Sequence, residues 1–129
     1  MSEENVELVR RAFERWNEGD RIVPDEEIHP DVEIVTSFRP EPFRGREGFR
    51  QWIQEIDQQF EEWRNVVDEW RDAGTRVVGL GHLHLRGRGS GVEFDQPMGW
   101  LVEFSEGKMI RMQPFLQPKA ALEAAGLSE

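Results

Sequence analysis

His82 and His84 stand two residues apart in the run Gly79-Leu80-Gly81-His82-Leu83-His84-Leu85. The flanking valines and leucines predict a strand over 75–87. Residues i and i+2 of a strand share a face, so both imidazoles point the same way. Alternation groups Val78, Leu80, His82, His84 and Arg86 on one face, and Val77, Gly79, Gly81, Leu83 and Leu85 on the other. Imidazole titrates near neutral pH, so such a pair could act as acid and base in proton transfer. The plainer alternative is a pair that is solvated or satisfied within a core. Asp31, Glu33 and Asp95 are the nearest candidate carboxylic acids, although Asp31 and Asp95 equally suit turns or caps. His-x-His is also a metal-ligand spacing, with His29, Asp31 or Glu103 available as third donor. Nothing in the sequence fixes that donor in space, so no metal site and no cofactor are expected.

The elements that must position these residues follow from periodicity. Val6, Val9, Phe13 and Trp16 form one helical stripe within 3–18, and Gly19 is placed to stop that helix. Residues 20–30 read as irregular with one short helical turn. A strand is expected over 31–37, then a proline-rich connection at Pro40 and Pro42. Phe49, Trp52, Ile53, Ile56 and Phe60 recur at helical spacing within 47–61. Strands follow over 63–72, 75–87, 91–105 and 108–116, separated by turns at Gly74, Gly87–Gly91 and Ser105-Glu106-Gly107. A last helix over 118–125 opens at Pro118 and ends at Gly126. Strands joined by tight turns pair antiparallel. The order implies one α+β domain spanning 1–129, its helices packed on one face of a curved sheet.

Composition narrows the function classes. A net charge of −10 argues against a nucleic-acid partner and against an anionic membrane surface. The absence of cysteine excludes disulfides, thiolate metal sites and cysteine nucleophiles, and fits a cytoplasmic setting. No secretory signal pattern opens the chain, and no apolar run approaches the ~20 residues a membrane span needs.

Several segments, taken in order, carry a family resemblance. They are ENVELVRRAFERWNEGD, HPDVEI, FRGREGFRQWI, RGRGSGVEFDQP, the turn EGK at 106–108 and ALEAAGL at 121–127. In this order they resemble the SnoaL-like branch of the NTF2-like superfamily. The resemblance implies a cone, in which a curved antiparallel sheet wraps around the N-terminal helices and opens on a pocket for a small hydrophobic molecule. Relatives include polyketide cyclases, limonene epoxide hydrolase and ketosteroid isomerase, together with non-catalytic members, so the fold does not dictate the chemistry. Aligned on the turns, His82 and His84 match cavity-facing positions that are Arg and Asp in the epoxide hydrolases. The carboxylate of those enzymes' last strand falls on Pro114, which removes their water-activating set. Isomerase chemistry needs a tyrosine donor and a nearby acid, and the chain has no tyrosine. Near the matching positions stand Trp16, a donor only, and Thr36 or Ser37 in place of the base.

The expected pocket lining is Trp16, Trp52, Ile56 and Phe60 from the helices, Ser37 from the first strand, Met98 and Trp100, and Met112, Gln113 and Phe115 from the last strand. The same residues could instead fill the cone as ordinary core. Two functions are therefore carried forward. One is cofactor-independent acid–base chemistry by His82 and His84 on a cyclic or polyketide-like compound, in the cyclase, isomerase, dehydratase or hydrolase class. The other is a non-catalytic ligand-binding or dimerisation domain. Val77, Leu83, Leu85 and Leu101 are expected on the outer sheet face, where they would support a homodimer.

Overall fold

The computed structural model describes residues 2–36 and 39–127, with Ser2 by its backbone alone. Helix α1 (Ser2–Asn17) buries Val9, Phe13 and Trp16 and is followed by Gly19 at φ 96°. A single 3-10 turn at Asp25–Glu27 leads into strand β1 (Ile28–Ile34). Strand β1 starts three residues before the expected position, because Ile28 is already a buried strand residue. A two-residue strand β2 (Phe43–Arg44), read from sequence as plain connection, pairs with Glu33 and Ile34. Helix α2 (Gly45–Gln59) buries Phe49, Trp52 and Ile56. Four long strands follow: β3 (Phe60–Asp72), β4 (Arg76–Gly87), β5 (Glu93–Ser105) and β6 (Lys108–Phe115). The last element is α3 (Pro118–Ala124), with Pro118 in its first turn.

The six strands form one curved, unclosed sheet in the order β2-β1-β6-β5-β4-β3. The β3–β6 meander is antiparallel, as its short turns require. β1 joins β6 in parallel, so the sheet is mixed. The long α2–β5 excursion separates these two strands in sequence and releases them from the hairpin constraint.

Helices α1 and α2 occupy the concave face. Their stripe packs with Val77, Leu83, Leu85, Met98, Trp100, Val102 and Phe104 in the main core. Phe13 meets Trp70 edge-on at 5.2 Å and Trp100 edge-on at 5.6 Å. Each such pair contributes about 0.5–1.5 kcal/mol beyond the area it buries. Trp70 lies where a side chain at Gly79 would project, 2.8 Å from that position, so the glycine makes room for the ring.

Two expectations are corrected here. The helices do not all share one face: α3 covers the opposite side, where Ala121, Leu122 and Ala125 pack on Val78 and Leu101 as a second cluster. The faces of β4 are also exchanged. Val77, Leu83 and Leu85 point into the cone, and Val78, Leu80, His82, His84 and Arg86 point outward. Of the residues expected to form an apolar outer face, only Leu101 lies there, and α3 buries it. The apolar ground for a homodimer through that face is thereby removed.

The β3 ladder slips between Val67 and Glu69, beside Gly81 of β4. A Cβ at Gly81 would sit 1.9 Å from the Val66 carbonyl oxygen, a backbone atom held in the sheet. Gly81→Ala is expected to destabilise the fold by about 1–3 kcal/mol, the usual cost of overpacking. Urea unfolding measures this, and an unchanged midpoint would refute the close approach of the two strands.

Candidate functional site

A cavity of about 240 Å³ opens between the concave sheet face and the two N-terminal helices. Helix α1 contributes Ala12, Phe13 and Trp16, and α2 contributes Phe49 and Trp52. Val35 and Thr36 follow β1, while Trp63 and Asn65 come from β3, and Leu83 and Leu85 from β4. Strand β5 supplies Phe94, Gln96, Met98 and Trp100, and the last strand supplies Met109, Met112 and Pro114. Helical spacing puts Phe13 and Trp16 on one side of α1, and strand alternation gives every second residue of β5. Trp16 and Trp52 stack at 5.4 Å and 26°. Met98 and Met112 add unbranched, deformable side chains to the wall.

Polar atoms in the cavity are few. The Trp16 indole Nε1 donates to the Trp63 carbonyl oxygen at 2.9 Å. Asn65 is buried; its backbone N–H donates to Asn17 Oδ1 at 2.9 Å, and its own Oδ1 accepts from Trp63 Nε1 at 3.3 Å. Its carbonyl accepts from Asn17 Nδ2 at 2.7 Å, which ties α1 to β3. The Thr36 hydroxyl is buried with no partner among the described residues. Gln96 donates to the Pro97 and Leu116 carbonyls near the cavity mouth, where Phe94 and Leu116 are exposed. The described lining contains no Asp, Glu, His, Lys, Arg, Cys or Tyr.

The residues singled out from sequence separate into three groups. Trp16, Trp52, Met98, Trp100 and Met112 line the cavity together. Ile56 and Phe60 belong to the core behind it, and Ile56 is 2% exposed. Gln113 and Phe115 are corrected to the opposite face: Gln113 accepts from Arg111, and Phe115 packs under α3. Ser37 lies outside the described residues. Among the lining residues missed from sequence were Phe49, Trp63, Asn65, Leu83, Leu85 and Met109. Assigning Trp63 and Asn65 needed the face of β3, which its irregular ladder conceals.

His82 and His84 are not brought to the cavity. They lie across the sheet, among carboxylates from both neighbouring strands. His84 Nδ1 is 2.9 Å from Asp95 Oδ1, directly opposite it in the ladder. His84 Nε2 is 3.4 Å from Glu93 Oε1 and 4.0 Å from Glu62 Oε2. The hydrogen bond to Asp95 holds the His84 imidazole above its ordinary pKa, against the opposing effect of desolvation. His82 Nε2 lies 3.8 Å from the same Asp95 oxygen. The remaining candidate acids are also outside the cavity. Asp31 is exposed and its backbone N–H donates to His29 Nδ1, while Glu33 pairs with Arg44 and Arg111. Glu103 pairs with Arg76 and Arg111. No described helix is long and apolar enough to cross a membrane.

Solved structures share this architecture. An NTF2-like protein of unknown function from Burkholderia pseudomallei superposes with a TM-score of 0.78 at 17% identity, covering 93% of this chain and 95% of that one. A putative SnoaL-like polyketide cyclase from Jannaschia sp. gives 0.77 at 25% identity, with 88% and 85% covered. A hypothetical protein with a ketosteroid isomerase-like fold from Catenulispora acidiphila gives 0.72 at 19% identity, with 94% and 93% covered. Among curated proteins no sequence relative is found. The profile of the SnoaL-like domain matches residues 9–112, from the middle of α1 to the cavity-lining Met112 of β6. With that match across most of its length, the α+β cone described above belongs to the SnoaL-like domain family.

Proposed function

We propose that the protein binds a small, uncharged, flat apolar molecule carrying an oxygen that accepts a hydrogen bond, and that its own side chains perform no acid–base step on it. The carrying observation is the cavity wall: four tryptophans and, among the described residues, no titratable group in the lining and a buried threonine hydroxyl with no partner. A charged ligand would lose its hydration there and meet no countercharge. An aromatic or polycyclic ligand would stack or pack edge-on against the indoles. At about 240 Å³ the cavity lies just below the roughly 300–1,000 Å³ common for ligand sites, which favours an occupant of two or three fused rings at most. The similarity to a putative SnoaL-like polyketide cyclase supports a cyclic, oxygen-bearing compound as the ligand class. The alternative of cyclase, isomerase, dehydratase or hydrolase chemistry by His82 and His84 loses its support, because both rings stand on the other side of the sheet from the cavity.

Tryptophan fluorescence tests the reading. Titration with 2-acetylnaphthalene is expected to quench the emission saturably, because four of the five tryptophans line the cavity. Leu83→Trp, which fills the space, is expected to abolish the quenching. Equal quenching by the wild type and by Leu83→Trp would overturn the assignment of the cavity.

The unpaired hydroxyl gives a second, opposed pair of expectations. Thr36→Val keeps the shape of the side chain and removes a buried polar atom that has no partner among the described residues. It is expected to stabilise the unliganded fold by about 1 kcal/mol. The same change is expected to weaken 2-acetylnaphthalene about 3- to 10-fold, the worth of one neutral hydrogen bond. The hydrocarbon 2-isopropenylnaphthalene should lose nothing. If both probes weaken alike, Thr36 shapes the cavity and does not read an oxygen.

A further inference from the structure

The outer face of the sheet holds a side-chain cluster that the cavity does not use. Glu62 of β3, His84 of β4 and Glu93 of β5 offer ligand atoms that all lie within 4.8 Å of one another. We propose that these three side chains form a binding site for a divalent transition-metal ion, zinc foremost, with a water completing the shell. The expectation of no metal site came from the lack of a fixed third donor for His-x-His. The structure supplies different partners: His29, Asp31 and Glu103 stay apart, and the donors come from the two strands flanking β4.

Geometry carries the proposal. A tetrahedral zinc ion bound at 2.0–2.1 Å sets its ligand atoms roughly 3.3 Å apart. His84 Nε2 stands 3.4 Å from Glu93 Oε1, already at that spacing, and 4.0 Å from Glu62 Oε2. Glu62 would have to move roughly 0.7 Å toward His84 to reach that spacing, and its ligand oxygen already lies within 4.8 Å of that of Glu93. Three adjacent hydrogen-bonded strands present the three donors, and strands place ligands more exactly than loops do. His84 is also oriented as a metal-bound histidine is. Its Nδ1 lies 2.9 Å from Asp95 Oδ1, which can accept an Nδ1–H, so that Nε2, facing the two glutamates, is the nitrogen left to bind a metal ion once it gives up its proton. An imidazole with two carboxylates suits zinc, whereas calcium and magnesium prefer oxygen-only shells.

Arg86 is the resident countercharge. Its guanidinium nitrogens lie 3.5 Å from Glu62 and 3.6 Å from Glu93. Its Nε is buried without a well-formed hydrogen bond, although Glu61 Oε2 is 3.2 Å away. The metal-free cluster is thus imperfectly satisfied. A bound cation would take over both glutamates and leave Arg86 to Glu61. Glu61, Glu62, Glu93 and Asp95 outnumber Arg86 and Arg64, the latter opposite His84 in the ladder, so the local charge remains negative and favours a divalent cation.

The test is calorimetric titration of the full chain, freed of metal by chelation, with zinc chloride. One ion per chain is expected at micromolar affinity. His84→Gln and Glu93→Gln are each expected to weaken it at least tenfold, and Asp95→Asn about 10- to 100-fold, as for other carboxylates that orient a metal-bound histidine. Arg86→Gln should tighten it, because the competitor for both glutamates is gone. That gain cannot come from a variant that merely misfolds, since the fold must persist for binding to improve. His82→Gln should change nothing. The proposal falls if zinc does not bind saturably below about a millimolar, if binding survives His84→Gln, or if Arg86→Gln weakens it.

Discussion

The cone stays open because two helices are wedged into a sheet that would otherwise curl onto itself. The wedge is aromatic. Phe13 of α1 meets the edges of Trp70 and Trp100, and Trp16 stacks on Trp52 of α2 while its indole N–H holds a β3 carbonyl. The side chain of Asn17, the next residue, makes two hydrogen bonds to the Asn65 backbone. Large flat rings fix the separation of helix and sheet without filling every gap between them. The cavity is what remains at the wide end, and its walls are the unused faces of the rings that hold it open.

Element by element, most of the architecture was readable from sequence. Helical stripes such as Val9-Phe13-Trp16 and glycine turns such as Ser105-Glu106-Gly107 are local signals, and nothing elsewhere in the chain overrides them. The pairing of β1 with β6 was not readable, because parallel neighbours distant in sequence leave no turn between them. The facing of β4 was the costly error, and its cause is specific. A strand reveals its buried side only when one side is polar. Here Val77, Leu83 and Leu85 sit under the N-terminal helices, while Val78 and Leu80 pack toward α3. Both faces are apolar at one end of the strand, so alternation marks two sides and does not say which is inner. Strand β5 lacked that ambiguity, since Glu93, Asp95 and Glu103 fall on one side and Met98, Trp100 and Val102 on the other. Registered against β5, which pairs Gly79 with Trp100, β4 could have been placed correctly.

That inversion decides what the site can do. A single residue step separates Leu83 from His84, yet a hydrogen-bonded strand lies between the cavity and the imidazole. His84 therefore faces away from the cavity, with β4 paired to β3 on one side and to β5 on the other. The chemistry-bearing residues and the ligand-sized space are thus segregated by one thickness of sheet. Solvent bears the cost of gathering four carboxylates, two histidines and two arginines on the outer side, where screening is strong. The inner side holds no charge among its described residues, where charge would be most expensive. Such a division suits a protein whose cavity selects by shape and by a single hydrogen bond, and whose charged face meets ions from water. An acid–base step is no part of the proposed function, because no titratable group stands among the described lining residues.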